Sequence, residues 1–414
     1  MAPDAHRAVD AVWRIESARL IAGLARIVRD VGLAEDLAQD ALVAALEQWP
    51  ESGVPGNPGA WLMATAKHRA IDRLRHGAMA ERKHAEIARS LEVAEEPDLA
   101  AQADDDIGDD LLSLIFIVCH PVLSTDARVA LTLRLVGALT TAEIARAFLA
   151  AEATVAQRIV RAKRTLAEAR VPFELPPAAE RAERLASVLE VIYIIFNEGY
   201  SATAGQDWVR PALCEDALRL GRILAELMPA EPEVHGLVAL MELHASRLRA
   251  RVGPDGEPVL LLDQDRSRWD WMLVRRGLVA LARAEKLGGA LGPYGLQAAI
   301  SACHARARVP EDTDWVRIAA LYDGLAALVP SPVVELNRAV AVGMAFGPAA
   351  GLELADALVE EPALRAYHLL PTVRGDLLAK LGRRAEASAE FQRAAALTRN
   401  ERERTLLLAR AQDG

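Results

Sequence analysis

The stretch TTAEIARAFLAAEATVAQRIVRAKRTL, residues 140–166, decides the fold. Thr140-Thr141-Ala142-Glu143 is a capping box, in which a hydroxyl and a carboxylate three residues apart each satisfy a free amide at a helix start. Ile144 and Phe148 continue at helical spacing, a short turn follows near Leu149 to Ala153, and a second helix is expected from Thr154. On that helix Val155, Ile159, Ala162 and Leu166 line one side, while Thr154, Gln157, Arg161 and Arg164 project from the other. A capped short helix, a tight turn and a basic amphipathic helix make a helix-turn-helix, whose second helix enters the major groove of DNA. Taken alone, the same residues also suit a pair of core helices with a solvated basic face.

Outward from this stretch, helical spacing prevails and alternating apolar patterns of useful length are absent, so the chain reads as all-α. Its 414 residues call for two or three domains, and 52% apolar residues with only 4% aromatics favour helices. Net charge is −10, which argues against nucleic acid until the charges are located. From Thr65 to His84 six basic residues face two acids, and from Thr154 to Arg170 five face one. Between them, Glu86 to Asp110 holds ten acids and one base, so two basic patches flank an acidic spacer. That spacer, with Pro97 and Asp104-Asp105-Asp106, reads as a linker. Pro172, Pro176 and Pro177 mark a second boundary, because consecutive prolines stop a helix. The expected divisions are 1–80, 81–107, 108–175 and 176–414.

Two helices matter in the first division. Near Leu33 to Trp49, Ala38, Leu42, Ala45 and Trp49 share one side, with Asp36, Asp40 and Glu47 opposite. Such an acidic arc is either a solvated face or a dock for a basic partner protein. After the turn-rich Pro55-Gly56-Asn57-Pro58-Gly59, a helix is expected from about Ala60 to His76. Met63, Ala70 and Leu74 share its inner arc; Trp61, Thr65, His68, Arg69, Asp72, Arg73 and His76 share the outer one. An aromatic ring among cations suits single-stranded DNA, where bases stack and guanidinium groups hold phosphates. An ordinary amphipathic helix would show the same pattern.

Together these modules resemble the extracytoplasmic-function (ECF) sigma factors of bacterial RNA polymerase. Ala34-Glu35-Asp36-Leu37-Ala38-Gln39-Asp40-Ala41-Leu42 looks like their region-two helix; the resemblance implies docking on the clamp helices of the polymerase β′ subunit through Asp36, Leu37, Gln39 and Asp40. Trp61-Leu62 and Ala66 to Arg75 look like their promoter-melting and −10-recognition helix, which implies DNA contacts from Trp61, Thr65, Lys67, His68, Arg69, Asp72, Arg73 and Arg75. Leu139 to Ala145, Thr154-Val155 and Arg158 to Lys163 look like region four. That implies −35 reading by Thr154, Gln157, Arg158, Arg161, Lys163 and Arg164, with contact to the polymerase β flap. Two positions depart from the family pattern: His68 stands where asparagine is common, and the turn before Thr154 lacks its glycine. Both bear on promoter specificity.

The last 240 residues or so show tetratricopeptide-like spacing: small, larger four on, small three further, proline five later. Ala350, Leu354, Ala357 and Pro362 fit; Ile318, Tyr322, Leu325 and Pro330 fit loosely, as do Ala217, Gly221, Leu224 and Pro229. Gly375, Ala387, Phe391 and Ala394 fit the helix-A and helix-B positions, and the steps from 318 to 350 to 387 are 32 and 37 residues. A tetratricopeptide-like stack that binds a protein or its own partner domain is expected; an irregular helical bundle is the alternative. The whole arrangement resembles the sigma-factor subgroup with such an extension, which implies a regulatory domain. Cutting after Pro176 is expected to lower transcription. Ile195 to Tyr200 and Asp263 to Asp270 are less generic, dense in hydrogen-bonding groups that suit a seam or a ligand pocket.

Cys119, Cys214 and Cys303 are odd in number and widely spaced, which points away from a disulfide framework and towards a reducing cytosol. No catalytic residue, metal site or cofactor is expected, since phosphate-loop, dinucleotide, HExxH and CxxC patterns are absent. Cys119-His120 sits in an apolar run and reads as core. No membrane span or signal pattern stands out, so a cytoplasmic protein is expected. A stand-alone helix-turn-helix regulator with a sensor domain is the rival reading, and a tetratricopeptide adaptor is a third. A stand-alone regulator needs neither a clamp-docking face nor a single-strand-binding helix, and the two basic patches count against an adaptor.

Overall fold

The computed structural model describes residues 2–85, 107–148, 150–202, 208–254, 256–288 and 291–413. The chain is all-helical, with no strand among the described residues beyond an isolated bridge between Val252 and Pro258. It divides into two compact units, Met1–Val191 and Ile192–Gly414. Most of the acidic spacer, 86–106, lies outside the described residues.

The first unit holds α1 (Ala2–Val28), α2 (Val31–Ser52), α3 (Pro58–Ala85), α4 (Ile107–Val118), α5 (Thr125–Leu135), α6 (Thr141–Ala147), α7 (Glu152–Glu168) and the first half of α8 (Ala178–Tyr200). Its core is made of leucines and alanines at helical spacing: Leu20, Ile21 and Leu24 of α1, Leu37, Ala41 and Ala44 of α2, and Leu62, Ala66 and Ala70 of α3. Burying each leucine is worth roughly 1.5–3 kcal/mol, and the alanines let helix axes approach closely. From Leu111 to Cys119 every side chain of α4 and its end is buried, as expected of a helix that is apolar all round. Burial pushes the Cys119 thiol up to about 12, so this residue is core, in line with its apolar setting.

Three expected boundaries shift. The α3 helix starts with Pro58 at its first turn and runs to Ala85, past the expected end near His76, since Ala78, Ala80, Glu81, Arg82 and Lys83 all favour helix. α7 starts at Glu152 rather than Thr154, with extended Ala151 preceding it. The first unit continues past 175 because α8 packs back on α4 and α5. Ser187 Oγ donates to the Cys119 carbonyl (2.7 Å), Arg184 to that of Phe116 (3.1 Å), and Arg128 pairs with Glu190 (3.2 Å).

The second unit continues α8 and adds α9 (Pro211–Leu227), α10 (Pro232–Ala245), α11 (Trp271–Gly288), α12 (Pro293–Arg306), α13 (Trp315–Leu328), α14 (Pro332–Phe346), α15 (Pro348–Asp356), α16 (Leu369–Lys380), α17 (Arg384–Leu397) and α18 (Glu401–Asp413). Proline opens α9, α10, α12, α14 and α15, where its fixed φ suits a first turn and its missing N–H costs nothing. Most helices pack on their chain neighbours, α10 chiefly on α11 and α12, α13 on α14, and α16 on α17. Ala217, Gly221 and Leu224 are buried on α9, Ile318 and Leu325 on α13, and Ala387, Phe391 and Ala394 on α17. Gly375 of α16 lies so close to Phe391 that a Cβ there would stand 2.7 Å from the ring, the small-against-large contact expected of paired helices. The repeat spacing misses at α15: Gly351, Leu352 and Ala355 face the core, while Ala357 is exposed. Between α10 and α11 the described residues 246–254 and 256–270 hold only single 3-10 turns, at Leu248–Ala250, Leu261–Asp263 and Arg266–Arg268, which breaks a regular helical repeat.

Candidate nucleic-acid interface

On α2, Asp30 caps the helix, its carboxylate accepting from Leu33 N (2.9 Å). Asp36 and Asp40 are exposed, as the helical projection requires, with Ala38, Ala45 and Trp49 buried opposite. Two expected polymerase contacts fare differently. Leu37 is 1% exposed and packs in the core, so it offers no surface to a partner. Gln39 is half-buried and donates to Glu35 Oε1 (2.7 Å). The reason is that α2 touches α1, α3 and α7 and thus buries two arcs rather than one.

On α3, Asn57 caps the start by accepting from Ala60 N (3.0 Å). Leu62, Ala66 and Ala70 face inward, beside Met63, whose methyl group fills the space left by Gly23. Trp61 is half-buried and meets Trp49 edge to face, ring centroids 5.4 Å apart. Thr65, Lys67 and Arg69 are half-exposed, and His68 and Arg73 exposed; His68 Nδ1 lies 2.8 Å from the Ala64 carbonyl. Asp72 and Arg75 belong to this helix, but their side chains lie outside the described residues. Arg69 approaches Asp40 to 4.0 Å, so the acidic face of α2 and the basic face of α3 border one another.

The capping box of α6 forms as its sequence requires: Thr140 N donates to Glu143 Oε2 (2.8 Å) and Glu143 N to Thr140 Oγ1 (3.2 Å). On α7, Val155, Ile159, Ala162 and Leu166 are buried, and Thr154, Gln157, Arg161 and Arg164 are exposed. A cleft of about 400 Å³ runs between this face and the start of α5, lined by Thr154, Gln157, Arg158 and Arg161 with Ser124 and Asp126. Arg158 is half-buried and pairs with Asp126 (3.1 Å). Lys163 departs from the expected DNA face. Its ammonium pairs with the buried Glu35 of α2, which Arg134 of α5 also holds (2.6 Å). This cation is spent inside the unit. Neither Glu35 nor Arg134 stood out in the sequence, because their partners are distant in the chain.

Sigma-70 region 2 matches residues 15–78, and Sigma-70 region 4 matches residues 113–166, so the two modules fall within these families in that order. The chain belongs to the ECF sigma factors with a C-terminal extension. That extension matches, over residues 184–285, a family of unknown function, DUF6596. A Rhizobium meliloti (strain 1021) protein described as uncharacterized protein R00370 is 45% identical over 91% of this chain and 89% of its own length. The Mycobacterium tuberculosis probable ECF RNA polymerase sigma factor SigI is 26% identical, over 42% of this chain and 60% of its own length. No solved structure matches this sigma factor. Sigma factors of these families bind core RNA polymerase and promoter DNA, and they are not enzymes. Among the described residues no helix is long and apolar enough to cross a membrane.

Proposed function

We propose that this sigma factor directs core polymerase to promoters in the cytoplasm through three surfaces. Asp36 and Asp40 dock on the clamp helices of β′. Trp61, Thr65, Lys67, His68, Arg69 and Arg73 contact the −10 element, Trp61 offering its ring to an unstacked base. Thr154, Gln157, Arg158, Arg161 and Arg164 read the −35 element in the major groove, and region four also meets the β flap. Asp72 and Arg75 belong to the −10 set by their place in the sequence.

The observation that carries this reading is the adjacency of opposite charges in region two, an exposed acidic arc on α2 bordering a partly exposed cationic, aromatic arc on α3. A regulator that binds duplex DNA alone has no use for that pairing. The C-terminal domain modulates the sigma unit of its own chain. A tethered domain has a high effective concentration, so a weak contact suffices, and dependence of activity on the extension is the expected sign. Pull-down of core polymerase by the Asp36→Lys/Asp40→Lys variant tests the docking assignment: loss of binding with unchanged helicity supports it, and full binding removes it.

A further inference from the structure

The two unusual stretches of the second unit meet. Tyr200, at the end of Ile195 to Tyr200, stacks on His244 (centroids 4.9 Å apart) and lies 3.8 Å beneath the Arg251 guanidinium. Trp269, from Asp263 to Asp270, has Arg266 at 5.1 Å and Arg247 at 5.9 Å from its ring centre, and Arg247 also stands 5.8 Å from the Tyr200 ring. Arg247 therefore joins the two.

Three guanidinium groups thus gather in one interior. Among the described residues no carboxylate lies within ion-pair distance of Arg247, Arg251 or Arg266, although Arg247 is 8% exposed, Arg266 7% and Arg251 half-buried. Arg266 Nη1 donates to the carbonyls of His304 (2.8 Å) and Ala307, while its Nε and Nη2 and the Trp269 indole N–H are buried with no acceptor. Glu311 and Asp312 act on Arg266 only at longer range. The surroundings report the same positive potential. Burial and then Arg247 and Arg266 push His304 down to about 3, and burial, Arg247, Arg251 and His304 hold His244 well below its usual value. Two neutral imidazoles beside three cations leave the excess charge uncompensated. Holding unpaired charge out of water is strongly unfavourable, so such a cluster calls for a function.

Trp269 also lines an open cleft of about 580 Å³, together with Arg249, Ser267, Arg268 and Asp270. Arg249 and Arg268 are exposed at its rim, with Arg268 Nη2 donating to the Val252 carbonyl (3.2 Å) and its other N–H groups left for a ligand. The carboxylate of Asp270 is committed to the start of α11, accepting from Met272 N (2.9 Å) and Leu273 N (3.1 Å). The lining is therefore net cationic, two guanidinium groups against the one Asp270 carboxylate, and Arg247 and Arg266 stand at the Trp269 ring outside that lining. Its volume lies within the range of small-molecule sites.

We propose that this cleft binds a small oxyanionic ligand, its phosphate or carboxylate group held by Arg249 and Arg268 over Trp269 and its charge balanced by Arg247 and Arg266. Guanidinium forks match both oxyanions in a bidentate manner. The site is independent of the promoter-binding unit and of the regulatory sign.

The test is titration calorimetry and thermal denaturation of the full chain with inorganic phosphate and, separately, citrate, in chloride buffers of matched ionic strength. One of the two should bind saturably and raise Tm. Phosphate alone identifies a phosphorylated ligand, and citrate alone a polycarboxylate. Arg249→Ser/Arg268→Ser, which changes only exposed side chains, should weaken binding about tenfold or more, as expected when at least one charge-assisted hydrogen bond is removed. Arg247→Met should weaken it too and raise Tm in the absence of anion, since an uncompensated charge is removed. No saturable binding of either anion, or undiminished affinity in the rim variant, overturns the proposal.

Discussion

Glu35 of region two and Arg134 of region four form a 2.6 Å ion pair, with the Glu35 side chain only 4% exposed and the Lys163 ammonium on its other side. A carboxylate this deep is tolerated only with partners, and both of its cationic partners come from the other module, with Gln39 of its own helix donating a further hydrogen bond. Breaking a buried pair by deleting one member typically costs about 3–5 kcal/mol. Either Arg134→Ala or Lys163→Ala leaves one cation on Glu35, so each alone should destabilise the first unit by less than that. The double variant, which leaves the carboxylate without a cation, should approach the full amount, read from urea unfolding.

Lys163 and Arg161 give opposite expectations on DNA. Arg161→Ala and Gln157→Ala should relax selection at single −35 positions, each by about 1–3 kcal/mol where the side chain makes a good pairing with a base edge. Lys163→Ala should leave base preference unchanged. Gel-shift titrations over a randomised −35 element check this, and a specificity change in the Lys163 variant would contradict the ion-pair assignment.

Trp61 has two jobs to separate, since its ring both packs on Trp49 and faces the cationic arc. Trp61→Phe keeps an aromatic face and should preserve most promoter opening. Trp61→Ala should abolish the permanganate-reactive bubble while closed-complex binding persists. An intact bubble in the alanine variant would mean that the ring serves packing alone.

Much of this was legible from periodicity. The inward positions of α7, the capping box and the Asp36–Asp40 arc follow from helical spacing, because each depends on residues within two turns. Leu37 did not follow. Its own repeat, with Ala41 and Ala44, marks a second buried arc, but one projection of α2 shows only a single inner side. Lys163 was misjudged because its partner lies 128 residues away in the chain. At α15 the repeat spacing slipped by one or two residues, since a short helix carries too few turns to fix its phase. The arginine cluster was foreshadowed only as two polar-rich stretches; what joins them is Arg247, which lies in neither.

Acid should weaken the second unit. His244 and His304 are held neutral when folded, by burial and by their arginine neighbours, but take up protons near pH 6.5 when unfolded. The unfolded state then binds more protons, so stability is full above about pH 6.5. It falls as pH drops below that, by up to about 1.4 kcal/mol per pH unit for each histidine, and for His304 down to about pH 3. Chemical denaturation at pH 7 and pH 5 should show the loss, and His304→Gln should flatten it.

The contribution of the extension needs a cut that respects the fold. A cut after Pro176 would remove the Arg184 and Ser187 contacts to α4 along with the extension, so the informative comparison ends the chain after Val191. Residues 1–191 are expected to bind core polymerase but to initiate less well than the full chain. Equal activity would place the role of the extension elsewhere.

The most direct test is run-off transcription with purified core polymerase on a library of the organism's own upstream DNA. Addition of the full chain should yield transcripts from a defined promoter set, lost with Asp36→Lys/Asp40→Lys. Specific DNA binding without any transcript, or binding that persists without core polymerase at equal strength, would contradict the account.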